Sequence, residues 1–151
     1  MLFRSKNTDT IFIYTDGACI NNGMPNAKAS IGIYFGKNDK RNTSKLIDGL
    51  QTNNSAELTA INHIFTILDK DYLLNNDIVI ISDSEYAIKC CTTYGKKVIS
   101  GGKCKINKNL IIDTYQKFNS YKKLAIAHIE AHTTKNDRHS KGNRRAEDRK
   151  N

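Results

Sequence analysis

The chain has 151 residues, enough for one domain with a substantial core. It contains no apolar run long enough to span a membrane and no charged-then-apolar leader, so we expect a soluble intracellular protein of the cytoplasm or nucleus. The 24 Lys and Arg exceed the 15 Asp and Glu by a formal net charge of +9, which favours nucleic acid over a membrane as partner.

The first predicted element is a buried strand at residues 11–14, an unbroken apolar run that leads into Thr15-Asp16-Gly17-Ala18. A run that is apolar on both faces is typical of a central strand. We expect the strand to end at Asp16, with Gly17 allowing a sharp exit. An Asp-Gly pair after a strand more often marks a turn. The significance of Asp16 therefore depends on whether other carboxylates reach the same rim of the sheet.

Two further strands, at residues 29–35 and 44–50, are joined by loops too short for a crossover helix and should form an antiparallel meander with the first. A helix follows, for which Asn54 is the expected N-cap and Glu57 completes a capping box. A second buried strand at residues 77–82 comes after this helix, and we expect it to join the sheet in parallel.

The rest of the chain alternates helices with one more strand. The predicted segments are a short helix at 84–94, a Gly- and Lys-rich loop at 95–105, a helix at 107–119, a strand at 124–129, a polar loop at 131–141 and a short terminal helix. The pattern predicts a single α/β domain over 1–151, in three layers with a mixed sheet, preceded by a loosely ordered extension at 1–9. The four cysteines fit neither a disulfide framework nor a zinc site, so we expect free thiols.

Two carboxylates follow the two buried strands. Asp83 ends the second strand as Asp16 ends the first, and neighbouring strands would place them side by side, at the edge where sites of α/β sheets lie. Each acid also has an ordinary interpretation, since Asp83 could cap the next helix and Glu57 could serve its capping box. Like charges at one rim repel unless a cation neutralises them, and all-oxygen ligands suit Mg²⁺ or Mn²⁺.

Four segments carry a family resemblance: Tyr-Thr-Asp-Gly-Ala-Cys at 14–19, Gln-Thr-Asn-Asn-Ser-Ala-Glu-Leu at 51–58, Ser-Asp-Ser-Glu-Tyr at 82–86 and Gly-Asn-Arg-Arg-Ala-Glu at 142–147. In order and approximate spacing they resemble the motifs of type 1 ribonuclease H. The resemblance implies a five-stranded mixed sheet flanked by helices. It also implies two-metal-ion hydrolysis of the RNA strand of RNA–DNA hybrids, with two Mg²⁺ or Mn²⁺ ions and 5′-phosphate and 3′-hydroxyl products. We expect a monomer with no obligate protein partner.

The family's metal-binding carboxylates fall on Asp16, Glu57 and Asp83. The fourth falls on Glu147, where the family has aspartate, with the neighbouring Asp148 as the alternative. Either could instead be a solvated helix charge. The family's loop histidine matches His132, but the loop is longer than usual, and His139 is the alternative. A histidine there is expected to assist proton transfer or product release.

The resemblance also assigns residues to nucleic-acid binding. Asn22, Asn53 and Asn54 match positions that read 2′-hydroxyls, although amides in loops are more often turn formers. Other matches are the DNA-phosphate pocket at Thr52 and Asn107, with Leu50 where arginine is frequent, and the DNA-strand channel at Tyr86 and Tyr94. For the two tyrosines, packing between helices is an equally good interpretation.

A basic segment at 95–105, which includes Lys96 and Lys97, corresponds to a shortened form of the family's basic protrusion. The chain has no Trp, so we expect an electrostatic role without the aromatic platform and an affinity that depends steeply on salt. The positive charge could also serve only solubility or reflect compositional bias.

Two other functions remain possible at this point. One is a non-catalytic nucleic-acid-binding domain of the same fold, suggested by Glu147 in place of aspartate. The other is a related nuclease or resolvase acting on branched or duplex DNA. The first three carboxylates argue against the non-catalytic domain, and the loop histidine with the asparagines near the first two motifs favours hybrids over branched or duplex DNA.

Overall fold

A computed structural model describes residues 9–130 of the chain. Five strands form one sheet in the order β3-β2-β1-β4-β5: β1 Ile11–Ile20, β2 Lys28–Tyr34, β3 Thr43–Leu46, β4 Ile78–Ser82 and β5 Leu124–His128. Five helices accompany them in this part of the chain: α1 Asn53–Ile67, α2 Lys70–Asn75, α3 Glu85–Cys91, α4 Thr93–Ile99 and α5 Lys108–Phe118. Between residues 9 and 130, no helix combines the length and apolar character needed to cross a membrane.

The sheet is mixed, and its topology follows from the connections. Short loops join β1, β2 and β3, which pair antiparallel, whereas β4 and β5 each follow helices and pair in parallel with β1 and β4. The predicted five-stranded mixed sheet flanked by helices is therefore confirmed.

Strand β1 is longer than predicted, and Asp16 lies inside it. Its Cα pairs with that of Gly32 in β2, and β1 continues to Ile20, so the prediction of a strand end at Asp16 was wrong. The pairing of β1 with β4 does stop there, because Thr15 and Ser82 form its last pair. Asp16 therefore stands one residue past the carboxyl end of the parallel pairing, still at the predicted edge.

Gly17 serves the packing of α1, not a chain reversal. It lies within β1, and its φ is not among the positive values. A Cβ built on Gly17 would overlap the backbone carbonyl carbon of Ala56 and the amide nitrogen of Glu57. Because only hydrogen fits between strand and helix, glycine lets α1 lie directly on β1. The predicted sharp exit at Gly17 was wrong.

The main core lies between the sheet and α1, α3 and α5. It contains inward residues of the strands, such as Ile13, Ile31 and Ile80, and the buried face of α1, such as Ile61 and Ile64. Because side chains alternate along a strand, Tyr14 and Ile81 belong to a second cluster, on the opposite face of the sheet. The central strands are thus apolar on both faces, as their sequences predict.

The helix starts differ from the predicted ones. Thr52 is the N-cap of α1, and its Oγ1 accepts a hydrogen bond from Ser55 N–H at 3.0 Å, so the predicted Asn54 cap and its capping box with Glu57 were wrong. Ser84, not Asp83, caps α3, with its Oγ accepting from Ala87 N–H at 3.1 Å. Glu57 and Asp83 are therefore not used as helix caps.

Two segments are more helical than predicted. The short helix α2 was not predicted, because its six residues are too few to show a periodic pattern. Helix α4 includes residues 95–99, which the sequence assigns to a loop. The loop between α4 and α5 is therefore shorter than predicted.

Residues 1–8 and 131–151, which include the predicted N-terminal extension, polar loop and terminal helix, lie outside the described part of the chain.

Candidate metal centre and nucleic-acid groove

Three carboxylates meet at the carboxyl edge of the central strands. Asp16 and Asp83 each follow the last pair between β1 and β4, Thr15 with Ser82. Glu57 projects from α1, which Gly17 allows to lie on β1. One oxygen from each carboxylate lies within 4.8 Å of the other two. The structure thus brings together the three acids that the sequence singles out.

Burial and hydrogen bonding orient the triad. Asp16 is buried, with 1% of its surface exposed, and its Oδ1 accepts a hydrogen bond from Gly17 N–H at 2.9 Å. Asp83 is half-buried, and its Oδ1 is shielded from solvent without a hydrogen-bond donor among residues 9–130. A shielded carboxylate oxygen needs a positive partner. Three oxygen donors at this spacing fit a hard divalent cation.

The predicted fourth ligand and the loop histidine cannot be placed against this triad. Glu147, the alternative Asp148, His132 and the alternative His139 all lie outside the described residues. Their roles stay predictions from the resemblance.

A groove of about 650 Å³ lies at the first turn of α1, the helix that also carries Glu57. It is lined by most of the residues that the sequence assigns to nucleic acid: Asn22, Thr52, Asn53, Asn54, Tyr86, Tyr94 and Asn107. Lys96 and Lys97 do not line it, and lie exposed on α4. We call this surface the asparagine groove.

Two asparagines of this groove have fixed orientations. Asn53 Oδ1 accepts from Cys19 N–H at 2.7 Å, and Asn22 Oδ1 accepts from Asn53 N–H at 3.1 Å. A backbone N–H requires an acceptor, so the oxygen of each amide faces the protein and its NH₂ group faces away. These NH₂ groups form no hydrogen bond within residues 9–130, and so present donors to a ligand.

A chain of hydrogen bonds crosses the floor of the asparagine groove. Thr52 Oγ1 donates to Ser55 Oγ at 2.9 Å, Ser55 Oγ donates to Asn107 Oδ1 at 3.1 Å, and Asn107 Nδ2 donates to the Tyr86 hydroxyl at 3.3 Å. Asn107 adopts the left-handed conformation, with φ of 62°, which asparagine tolerates better than most residues. Its side chain does not cap α5 and is free to join the network.

Two residues that position this region, Ser55 and Gln51, were not predicted from the sequence. Ser55, 2% exposed, links Thr52 to Asn107 as just described. Gln51 braces the connection from β3 to α1: its Oε1 accepts from Ala29 N–H at 2.7 Å, and its Nε2 donates to the Ile47 and Gly49 carbonyls. Both lie in the 51–58 motif, but polar residues beside a helix start resemble ordinary caps.

The groove combines these amides with an aromatic and apolar side. Burial raises the pKa of Tyr86 to about 12, so its hydroxyl stays protonated at physiological pH. Tyr94 lies beside it, and Leu50 and Ile106, which are 49% and 62% exposed, complete the apolar lining. Exposed apolar side chains next to hydrogen-bond donors suit a ligand with both sugar and phosphate surfaces.

The cysteines take no part in metal binding among the described residues. All four are free, as predicted. Burial raises the pKa of the Cys90 thiol to about 11 and that of Cys91 to about 12, so both stay protonated.

The sheet order and the carboxylate triad define a ribonuclease H-like domain. The family model described as RNase H matches residues 8–149, and the chain belongs to that family. Its relatives include a ribonuclease H from Schizosaccharomyces pombe, 42% identical over 88 residues, a match that covers 58% of this chain and 31% of the relative. A ribonuclease H from Saccharomyces cerevisiae is 32% identical over 119 residues, covering 74% of this chain and 33% of the relative.

Among solved structures, LC11-RNase H1 in complex with an RNA/DNA hybrid has a TM-score of 0.56 at 23% identity, and the match covers 92% of each chain. At this identity the likeness shows the fold. The chain spans about a third of the length of the two fungal relatives, 31% and 33%.

Proposed function

We propose that this protein is a metal-dependent endonuclease that hydrolyses the RNA strand of RNA–DNA hybrids. The observation that carries the proposal is the carboxylate triad, with one oxygen of each acid within 4.8 Å of the others, whose Glu57 lies on the same helix α1 that lines the asparagine groove with Asn53 and Asn54. Membership of the RNase H family supports it, and so does the hybrid bound by the structural neighbour LC11-RNase H1.

Asp16, Glu57 and Asp83 would hold the metal ions, with Glu147 or Asp148 as fourth ligand. When bound, two Mg²⁺ or Mn²⁺ ions would supply an activated water and stabilise the leaving 3′ oxygen, so that the products would carry 5′-phosphate and 3′-hydroxyl ends. Asp16 keeps one orientation through its bond from Gly17 N–H. His132, or its alternative His139, assists proton transfer or product release.

The asparagines select the RNA strand. A 2′-hydroxyl oxygen can accept a hydrogen bond, and it distinguishes RNA from DNA in the wide minor groove. Asn22 and Asn53 present outward NH₂ donors beside the triad, because their oxygens are held by backbone N–H groups. Asn54, exposed in the same turn of α1, completes this set.

The DNA strand follows the other half of the groove. Thr52 and Asn107 contact one of its phosphates, and Tyr86 and Tyr94 pack against its sugars or bases. Leu50 replaces the frequent arginine of this pocket and provides apolar contact instead of charge. The exposed Lys96 and Lys97 add phosphate contacts on α4, which makes binding sensitive to salt. One chain supplies all of these groups, so we expect a monomer to suffice.

Cleavage of matched RNA–DNA, RNA–RNA and DNA–DNA duplexes with Mg²⁺ or Mn²⁺ tests the proposal. We expect only the RNA strand of the hybrid to be cut, because only that strand offers 2′-hydroxyls in a hybrid groove. An Asp16→Asn variant should be inactive. Equal cutting of DNA–DNA would contradict the substrate, and binding of hybrids without any cleavage would indicate a non-catalytic domain.

A Ser55→Ala variant tests the network beneath the DNA strand. Removing Ser55 Oγ takes away the donor to Asn107 Oδ1 and the acceptor from Thr52, at a cost of about 1–2 kcal/mol in the free energy of unfolding. We expect KM for the hybrid to rise several-fold with kcat nearly unchanged, since Ser55 positions a binding residue and not the triad. Denaturant unfolding and steady-state kinetics measure the two effects.

Ser55→Thr is the matched control, because it keeps the hydroxyl. Restored KM in this variant indicates that the hydrogen bonds matter. A fall in kcat with unchanged KM would show instead that Ser55 acts on the triad.

A further inference from the structure

A second groove, of about 740 Å³, adjoins the asparagine groove. The two share Leu50, Lys105 and Asn107 as lining residues. The second groove lies between the connection from β3 to α1, the middle of α1, and the start of α5. A strand that leaves the Thr52 and Asn107 pocket in this direction therefore enters it.

The second groove is basic. Three exposed lysines line it from three separate segments: Lys45 of β3, Lys105 of the loop before α5, and Lys108 at the start of α5. Asp48 is the one acid among its described lining residues. Among residues 9–130, Arg41 pairs with Asp39 and Lys117 with Asp113, and no ion pair involves Lys45, Lys105 or Lys108. These lysines thus have no carboxylate partner there.

The pKa of His63 reflects the positive charge in this groove. It lies on α1 and is half-buried, and burial together with the positive charge of Lys45 lowers its pKa. A neutral imidazole among lysines leaves the groove with a net positive potential and no competing anion from α1.

We propose that the second groove holds backbone phosphates of the DNA strand beyond the one at Thr52 and Asn107, through Lys45 and Lys108 with Lys105 at the junction. This inference rests on the proposed function, since the occupant is the same hybrid. Lysine contacts of this kind compensate for Leu50, which brings no charge to the pocket. They lengthen the footprint on the DNA strand without touching the scissile phosphate.

The test is a Lys45→Ala/Lys108→Ala variant, which leaves Lys105 in place because it belongs to both grooves. Binding of a fluorescent hybrid is measured by anisotropy in metal-free buffer across salt concentrations. Each phosphate contact contributes about 0.7–0.9 to the slope of log affinity against log salt. We expect the slope to fall by about 1.4–1.8, so the advantage of the wild type shrinks roughly tenfold between about 50 and 200 mM salt.

Lys122→Ala/Lys123→Ala is the matched control. These exposed lysines precede β5, at the opposite end of the parallel strands from Asp83, and their removal changes the net charge equally. Both double variants should keep the wild-type circular dichroism spectrum and melting temperature. A slope that falls equally in the two variants would overturn the inference, because the effect would then be general charge.

A strand-specific measurement follows. Neutral methylphosphonates replace single phosphates of the hybrid, one position at a time. At one or two DNA-strand positions we expect the wild type to lose several-fold in affinity and the Lys45/Lys108 variant to lose nothing. The NMR pH titration of His63 should show its pKa raised by the hybrid in the wild type and less so in the variant.

The outcomes separate the two proposals. If wild-type protein cleaves hybrids but the methylphosphonate effect is absent or lies on the RNA strand, the second groove is not a DNA site and the proposed activity stands. If wild-type protein neither binds nor cleaves hybrids, the proposed function is wrong and this inference falls with it.

Discussion

An Asp83→Asn variant is expected to lose cleavage by more than about a hundredfold and yet to be more stable than the wild type in the absence of metal. The triad holds three carboxylates within 4.8 Å, and Asp83 Oδ1 is shielded without a hydrogen-bond donor among residues 9–130. Asparagine keeps the shape of the side chain, removes one negative charge from this cluster and weakens its hold on divalent cations. We expect the free energy of unfolding to rise by about 0.5–2 kcal/mol.

Mg²⁺ should reverse this order. A ligand that binds only the folded protein stabilises it in proportion to the logarithm of its concentration over Kd. Melting temperatures measured with and without Mg²⁺ should therefore rise with the ion in the wild type and remain flat in Asp83→Asn. Asp77→Asn is the matched control, an exposed acid just before the other end of β4. If Mg²⁺ raises the melting temperature of the Asp83 variant as much as that of the wild type, Asp83 is not a metal ligand.

A Gly17→Ala variant should lose both stability and activity. The added Cβ would meet backbone atoms of Ala56 and Glu57, which cannot rotate away as a side chain would. Helix α1 must then move off β1, at a cost of about 3 kcal/mol, or roughly 10 °C in Tm. The same movement separates Glu57 from Asp16, and a displacement of about 1 Å at a reacting centre can cost about a hundredfold in rate.

Gly95→Ala separates these two effects. A Cβ at Gly95 would overlap the backbone oxygen of Cys90 and lie 2.6 Å from a ring carbon of Tyr115, and neither residue carries a triad carboxylate. We expect a similar loss of Tm but intact stabilisation by Mg²⁺, because the carboxylates stay in place. Equal loss of Mg²⁺ stabilisation in both variants would mean that general loosening, not the spacing of α1 and β1, disturbs the centre.

Local chemistry made much of the fold predictable. The apolar runs at 11–14 and 78–81 indicated two central strands, and the short first connections indicated an antiparallel meander. The meeting of Asp16 with Asp83 followed from the parallel pairing of β1 with β4, whose last pair is Thr15 with Ser82. Such inferences depend on neighbours in sequence or on a single pairing rule.

The wrong predictions arose where a residue distant in the sequence determines the local structure. Hydrogen bonding to β2 keeps β1 extended through Asp16 and Gly17, and nothing in the local sequence indicates how long that partner is. The role of Gly17 depends on contact with Ala56, 39 positions along the chain. Asn54 was wrongly predicted as the N-cap in place of Thr52, because several residues of the types that cap helices occur in a row and the sequence does not distinguish them. The second groove could not be predicted, because its lysines come from three separate segments.

Helix α1 contributes buried side chains to the main core, and its first turns also carry Asn53, Ser55 and Glu57. One rigid body therefore carries folding and chemistry together. Under mutational drift, changes at Ile61 or Ile64 would reach the metal centre by tilting the helix, although neither residue is itself a ligand. The edge strand β5 carries no candidate metal ligand or nucleic-acid contact among the described residues, so we expect lineages of this family to diverge there first and along α1 last.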